Sequence, residues 1–339
     1  MVQEHFDLTG LNTFKIQVKT RYYLRIEDLS DLEKIRSSSV FNSNPTLILG
    51  GGSNMLFTKD YPGLVLHAVM NGITEKKTSN AEEILITAAS GVQWHDLVVY
   101  CVDRGYGGIE NLALIPGYCG AAPIQNIGAY GKELSQVLEQ VSVIDLETGS
   151  EHHFNARECQ FGYRHSLFKT PEGKKFFISS ITLRLRIKNH LIDHAYSALN
   201  EELKHLSAKD LSIRDVFNAV VSVRKRKLPD PQVTGNAGSF FKNPVINKNM
   251  FESLQSEYPS IPFYTSDNQL FKIPAAWLIE HAGWKGKHIG SAGCHAVQPL
   301  VLINLGGATG SELLAFSQVI QDDVRTKFGV VLEREVNVV

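Results

Sequence analysis

A hydroxyl set between two small residues and two aromatics marks the stretch of this chain richest in chemistry. Residues 236–244 read Asn-Ala-Gly-Ser-Phe-Phe-Lys-Asn-Pro, so Ser239 follows Gly238 and precedes Phe240 and Phe241. Gly238 has no β-carbon and lets a bound molecule approach the backbone, while the two rings can keep water from the hydroxyl. Lys242 adds a charge and Asn243 an amide. The competing reading is a strand entry or Ser-Gly turn in which Ser239 satisfies a neighbouring backbone group.

Two glycine-rich segments supply the context. Gly50, Gly51, Gly52, Ser53 and Asn54 follow a short apolar run. Consecutive glycines leave backbone N–H groups free to converge on an anion such as a diphosphate. Neither a Walker lysine nor a Gly-x-Gly-x-x-Gly spacing is present, and a plain tight turn is the alternative. Residues 111–131 are long and short of charges. Gly117, Gly120, Ala121 and Ala122 would let a flat ligand lie against the backbone, with Gln125 and Asn126 offering amides to a polar ring edge, unless the segment is a structural Ω-like loop. Arg164 follows an aromatic in residues 161–168, flanked by residues that prefer burial. Arg224, Lys225, Arg226 and Lys227 close a helical pattern just before Pro229-Asp230-Pro231. They either complement the helix C-terminus or hold a phosphate.

The elements that must position these groups are mixed. Capping boxes at Ser30 with Glu33, Ser212 with Asp215 and Thr309 with Glu312 predict helices over 30–37, from 212 to before Pro229, and over 311–327. Further helices are expected over 92–104, stopped by Gly105, and over 275–281, ended by Gly283. Strands are read at 46–49, 63–69 and 84–88, with a hairpin over 141–154 and a half-exposed strand over 177–188. Residues 330–339 read as a final strand, with Val330, Leu332, Val336 and Val338 on one face and Glu333, Glu335 and Asn337 on a solvent-facing one. Lys285, His295 and Gln298 fall between the last two helices.

A chain of 339 residues suggests two or three domains with substantial cores. Its 34 basic and 35 acidic residues give a net charge of −1, which favours neither nucleic acid nor an anionic membrane as partner. Cys101, Cys119, Cys159 and Cys294 are far apart with no Cys-x-x-Cys pairing, which argues against a structural zinc or a disulfide scaffold and fits a reducing cytoplasm. With no signal-like apolar core and no membrane-length run, a soluble, unprocessed protein is expected.

The residues 12–14, the loop 50–54, the segment 116–131, Gly162-Tyr-Arg164, residues 236–244 and the terminal Leu332-Glu-Arg-Glu335-Val together resemble the UDP-N-acetylenolpyruvoylglucosamine reductases. These are the flavin enzymes of peptidoglycan precursor synthesis. The resemblance implies an α+β fold, with a two-part FAD-binding region of the vanillyl-alcohol-oxidase (PCMH) type and an α+β substrate-binding domain. The parts would be 1–69, then 70–228 with 329–339, and 229–328 for the substrate. It implies FAD as cofactor, NADPH as co-substrate, a UDP-sugar substrate, a monomer and a cytoplasmic location.

Carried over by position, Ser239 matches the general acid, and Arg164 and Glu335 match the groups that stabilise the intermediate. FAD contacts map to Gly50, Gly51, Gly52, Ser53, Asn54, Gly117, Gly120, Ala121, Ala122, Ile124, Gln125, Asn126 and Gly128. Tyr196 matches a substrate-covering tyrosine, and Lys227, Asn243, Lys285 and Gln298 match groups near the nucleotide-sugar; no metal is implied. His165 stands where an acidic residue is expected and Asn337 where a basic one is common. Covalent relatives place a histidine after the glycines, where this chain has Ser53, so non-covalent FAD is expected. The family reaction moves hydride from flavin to C3 of the enolpyruvyl ether and a proton from Ser239 to C2. Arg164 would meet the negative charge that develops, and Glu335 would be protonated or hydrogen-bond the developing enol. A flavin or nucleotide-sugar binding protein without turnover, and a flavin oxidase of the same fold, are the competing functions.

Overall fold

The computed structural model describes residues 1–207, 210–266 and 269–339. Its chain divides into two compact units. One comprises Met1–Phe6, Thr20–Gly51 and Pro62–Arg226, and the other Asp7–Lys19, Gly52–Tyr61 and Lys227–Val339.

The first unit carries a five-stranded antiparallel sheet in the order Glu151–Phe154, Leu138–Asp145, Phe176–Arg186, Glu83–Ala89 and Ile73–Lys77. The central strand alternates as its sequence predicts. Ile181, Leu183 and Leu185 are buried, while exposed Arg184 donates to Glu139 at 2.8 Å and Glu83 at 3.0 Å. Two helices close the core. Trp94–Asp103 contributes Trp94, Leu97, Val98, Cys101 and Val102, and Ile213–Lys227 contributes Ile213, Val216, Ala219, Val220 and Val223. Full burial of a side chain of this kind stabilises the fold by about 1.5–3 kcal/mol. A four-stranded sheet runs Gln3–Asp7, Lys19–Ile26, Tyr61–Ala68 and Thr46–Leu49. Its last two strands are parallel, in a register that pairs Leu49 with His67. That register sets His67 beside the start of the glycine loop.

The second unit holds an antiparallel sheet ordered Gly235–Ser239, Val301–Asn304, Ala292–Cys294 and His288–Ile289. The helix Gly310–Phe328 opens on the reciprocal Thr309 and Glu312 box and closes at Gly329, whose φ of 68° is the left-handed cap glycine tolerates.

Two expectations are corrected. The first helix spans Leu29–Arg36 and its capping box is Asp28 with Asp31 rather than Ser30 with Glu33. An aspartate serves at the N-cap as well as a serine, so the pattern fitted two registers. The terminal segment is not one long strand. Asn337–Val338 pairs in parallel with Met55–Leu56, Arg334 makes a separate antiparallel bridge to Phe241, and Glu335 is 7% exposed rather than solvent-facing.

All four cysteines are buried free thiols. Burial pushes Cys101, Cys159 and Cys294 up to about 12. Among the described residues no helix is long and apolar enough to cross a membrane, and no cluster of three His, Cys, Asp or Glu could hold a metal.

Candidate active site

In the first unit the two glycine-rich segments lie against each other. A β-carbon at Gly51 would come within 3.1 Å of Gly117 Cα and 3.4 Å of the Tyr118 ring, and one at Gly50 within 3.5 Å of Ala121 Cβ. Gly120 donates to the Ser90 carbonyl at 2.9 Å and has no room for a β-carbon, which would meet Ser90 Cβ at 2.7 Å. The segment turns through a 3-10 turn at Cys119–Ala121, and Gly117 holds φ at 112°. Ala122 is buried and Ile124 half-buried, the Ile124 carbonyl accepting from Ser166 Oγ at 2.7 Å. Gln125 is half-buried. Asn126 is buried, and its amide serves Glu133 at 2.7 Å and Ser135 N–H at 3.0 Å. Its side chain thus braces the loop. What the loops offer is close-packed backbone and small side chains, which suits a flat, anionic group such as a flavin nucleotide.

His67, which lies outside the motifs, supports this cradle. The His67 and Tyr118 rings lie nearly parallel, 11° apart with centroids at 6.1 Å, and His67 Nδ1 hydrogen-bonds Tyr23 Oη at 2.7 Å. His67 Nε2 is directed towards the Gly50 backbone without completing a hydrogen bond. Burial, and then the charge of Arg25, lower its pKa to about 4, so the ring is neutral. No local pattern announces His67; the strand register that pairs it with Leu49 brings it to the loop.

Arg164 sits in a tight turn. Gly162 and His165 exchange backbone hydrogen bonds at 3.0 and 3.2 Å, leaving Tyr163 and Arg164 at the tip. Arg164 adopts a φ of 54°, a left-handed conformation costing an L-residue roughly 1–2 kcal/mol. Its Nη2 donates to the Gly128 carbonyl at 3.1 Å. His165 contributes backbone to this turn and is exposed, so the acidic residue expected there is not needed to form it. Tyr196, 39% exposed, precedes the helix Ser197–Leu203 and meets Tyr130 edge-on at 5.3 Å. Fully buried Asn111 ties the two segments, donating to the Tyr130 and Asp193 carbonyls at 3.0 and 2.9 Å. Arg224 stands within reach of the Tyr130 hydroxyl. The unit thus brings Arg164, Gly128, Tyr130, Tyr196 and Arg224 into one neighbourhood.

The second unit builds the Ser239 site. Asn236 pairs with Ile303 and Ser239 with Val301, so the serine's strand carries one extra residue there. This bulge is made by Gly238, at a φ of 67° and held by a 2.9 Å bond from its N–H to Asn236 Oδ1. Bulges re-aim the next side chain, and Ser239 is that residue. Nothing lies within 4 Å of a β-carbon built on Gly238, so the approach to the backbone is open. Behind it, Phe240 and Phe241 are fully buried.

Glu335 lies alongside. Its N–H donates to Phe240 O at 2.8 Å, and Lys242 N–H donates to Glu333 O at 2.8 Å, so residues 333–335 run antiparallel to 240–242. Asn54 Nδ2 donates to the Glu335 carbonyl at 3.2 Å, and Asn337 returns both its N–H and Nδ2 to the Asn54 carbonyl at 3.1 Å. Asn337, at the position where a basic residue is common, therefore holds the Glu335 strand through an amide clamp. Residues 12–14 brace the same unit. Thr13 N–H donates to the Gly52 carbonyl at 3.2 Å, and Asn236 N–H to the Thr13 carbonyl at 2.9 Å. Gly52 has φ 61° and no space for a β-carbon, which would meet Leu11 O at 1.9 Å; Ser53 is half-buried beside it.

The remaining expected ligand residues are spread through this unit. Lys227 is exposed at the end of its helix. Asn243 Oδ1 accepts from Ala275 N–H at 2.9 Å, capping the helix Ala275–His281. Lys285 reaches Glu280 at 2.7 Å, and Gln298 N–H donates to His295 Nδ1 at 3.1 Å.

A family model described as the C-terminal domain of UDP-N-acetylenolpyruvoylglucosamine reductase matches residues 230–339, and one described as an FAD binding domain matches residues 20–155. A curated relative named UDP-N-acetylenolpyruvoylglucosamine reductase, from Amoebophilus asiaticus, is 44% identical over 100% of this chain and 99% of its own. One of the same name from Bacteroides fragilis is 42% identical over 99% of each. The solved structure of the UDP-N-acetylenolpyruvylglucosamine reductase from Thermus caldophilus is 23% identical, covers 100% of this chain and 98% of that one, and superposes with a TM-score of 0.69, so the two share an α+β fold. On these matches, end to end and in both halves, the chain belongs to the FAD-dependent UDP-N-acetylenolpyruvoylglucosamine reductase family.

Proposed function

We propose that this member of the family reduces the enolpyruvyl group of UDP-N-acetylenolpyruvoylglucosamine to UDP-N-acetylmuramate with NADPH, as a monomer in the cytoplasm. The observation that carries the reading is the glycine bulge that presents Ser239 next to the strand of Glu335. FAD, when bound, supplies the ring that accepts and donates hydride.

The chain's residues do the rest. Ser239 delivers the proton to C2, from a backbone open on one side and walled by buried aromatics on the other. Arg164, fixed by its turn and by the Gly128 carbonyl, meets the negative charge that grows on C2 and the carboxylate. Glu335 hydrogen-bonds the same group. Gly50 to Asn54 and residues 117–128 hold FAD without a covalent bond, mainly through backbone groups. Tyr196, Lys227, Asn243, Lys285 and Gln298 receive the nucleotide-sugar. Assignment of 1–69 and of 70–228 with 329–339 to the flavin, and of 229–328 to the substrate, is part of the same reading.

A two-step flavin titration tests it. The yellow colour should bleach anaerobically with NADPH and return on adding the enolpyruvyl substrate. Bleaching without return would leave a binding protein, and rapid recolouring by oxygen alone would indicate an oxidase.

A further inference from the structure

The second glycine-rich segment is pinned along one side by residues 90–95. Besides the Gly120 bond to Ser90, Cys119 N–H donates to the Val92 carbonyl at 2.8 Å, and Trp94 N–H to the Gly117 carbonyl at 2.9 Å. Trp94 Nε1 adds a bond to the Leu112 carbonyl at 2.9 Å. Between the pins at 112 and 117, His95 reaches the chain, its Nδ1 accepting from the Leu114 N–H at 3.0 Å. Leu114 is the residue there that needs holding. Its φ of 58° lies in the left-handed region that a residue with a β-carbon avoids, and leucine has no polar side chain with which to offset the cost.

Acceptance at Nδ1 fixes the state of the His95 ring. The imidazole carries its proton on Nε2 and is neutral, because a protonated ring has N–H at both nitrogens and would oppose the Leu114 N–H. The surroundings keep it so. The ring lies parallel to that of Phe217, 3° apart with centroids at 5.8 Å. Burial lowers its pKa, Asp96 on its own helix opposes this, and Lys225 and Arg224 on the helix Ile213–Lys227 lower it further. The facing stretch, residues 112–117, has no titratable side chain.

We propose that His95 is a positioning residue for the flavin, a neutral latch that holds Leu114 in its left-handed turn and so sets residues 115–117 against the Gly50–Gly51 loop. Gly117 is the contact point, since its Cα is the atom a β-carbon on Gly51 would approach to 3.1 Å. The proposal rests on the reading above that this segment holds FAD. Flavin binds the form with the ring neutral, so affinity is flat above the ordinary imidazole value of about pH 6.5 and falls as the pH drops below it.

The test measures flavin released on dilution of the loaded protein, from the fluorescence of free FAD, and hydrogen exchange over residues 112–118 in the same samples. His95→Phe keeps a ring on Phe217 and removes the acceptor. It should raise the flavin dissociation constant about 10-fold at pH 8, the cost of leaving a half-buried N–H unbonded, and speed exchange at Leu114. His95→Asn puts an amide oxygen near the place of Nδ1 and takes up no proton. It should keep its flavin at pH 8 and lose the acid dependence that the unaltered protein shows between pH 6.5 and 5, and it carries the test if the phenylalanine variant does not fold. Leu114→Gly takes a positive φ freely, so adding it should shrink the penalty of His95→Phe, which loss of packing alone would not do. Unchanged exchange over residues 112–118 in His95→Phe would overturn the latch. Faster exchange with flavin affinity within two-fold of the unaltered protein would remove its role toward the cofactor and count against this segment as the flavin seat. A flat pH profile in the unaltered protein, or an acid dependence kept in full by His95→Asn, would refute the protonation step.

Discussion

The Glu335 amide donates to the Phe240 carbonyl at 2.8 Å, so the chain's last acidic residue is registered against the residue that follows Ser239. One antiparallel rung therefore fixes the spacing of a hydroxyl and a carboxylate that lie almost a hundred positions apart. In the reaction proposed, only the half that reduces the substrate needs either group.

Ser239→Ala should leave reduction of the flavin by NADPH nearly intact and slow reoxidation by the enolpyruvyl substrate by ~10² to 10⁴, the usual effect of removing a positioned general acid. Ser239→Cys should regain part of the loss, since a thiol also donates a proton. Stopped-flow absorbance separates the two halves. Equal slowing of both would assign the serine to structure or flavin binding.

Gly51→Ala tests the cradle. Its methyl group would press on Gly117 Cα at 3.1 Å, a backbone atom that cannot swing aside as a side chain can. The variant should fold with a near-normal circular dichroism spectrum and purify with markedly less flavin. In the unaltered protein, heat or acid denaturation followed by filtration should free all the flavin. Full flavin loading of Gly51→Ala would show that the two loops do not form the cofactor seat.

Asn337→Ala removes one of two donors to the Asn54 carbonyl and leaves the other, so about 1 kcal/mol of stability should be lost rather than the fold. The substrate half-reaction should slow more than flavin reduction, because the clamp acts on the strand of Glu335. Urea midpoints and single-turnover rates measure the two effects. An unchanged ratio of the two rates would mean that the clamp is purely structural.

His67 makes stability depend on pH in a defined direction. In the unfolded chain an imidazole takes up its proton near pH 6.5, whereas in the fold burial delays this to about 4. Between those values the unfolded state binds more protons, so stability falls as pH drops through the window, by roughly 3 kcal/mol at its lower end. His67→Gln should flatten that part of the curve while keeping a partner for Tyr23. Denaturant midpoints from pH 7 to 4 would show it. A slope unchanged in the variant would assign the effect to another group.

Local features of the fold were legible wherever neighbouring residues decide them. The Thr309 box and Gly329 delimit one helix, and the alternation of Ile181, Leu183 and Leu185 reads directly as a half-exposed strand. The site was legible as a set of motifs but not as an arrangement. Glu335 looked solvent-facing because its true neighbours, residues 240–242, are remote in sequence and leave no local trace. The position of Asn126 among the loop residues is legible, but its amide's bonds to Glu133 and Ser135 are not. His67, Tyr118 and Asn111 acquire roles only through registers and loop crossings, which no period of two or 3.6 encodes. The basic helix end read as a uniform charge cluster, although its four residues have different surroundings.

The division of the chain bears on how the protein is made. Residues 7–19 and 52–61 leave the ribosome well before residues 227–339, which complete their unit. Met55 and Leu56 must wait for Asn337 and Val338, and Thr13 for Asn236. Such long-range pairings close large loops and slow folding. A gene split after codon 226 would yield a second half without the Met55–Leu56 strand or the residues that brace Gly52 and Asn236. Co-expressing the two halves would therefore have to restore the strand partners by complementation, and neither half alone should behave as an independent folding unit.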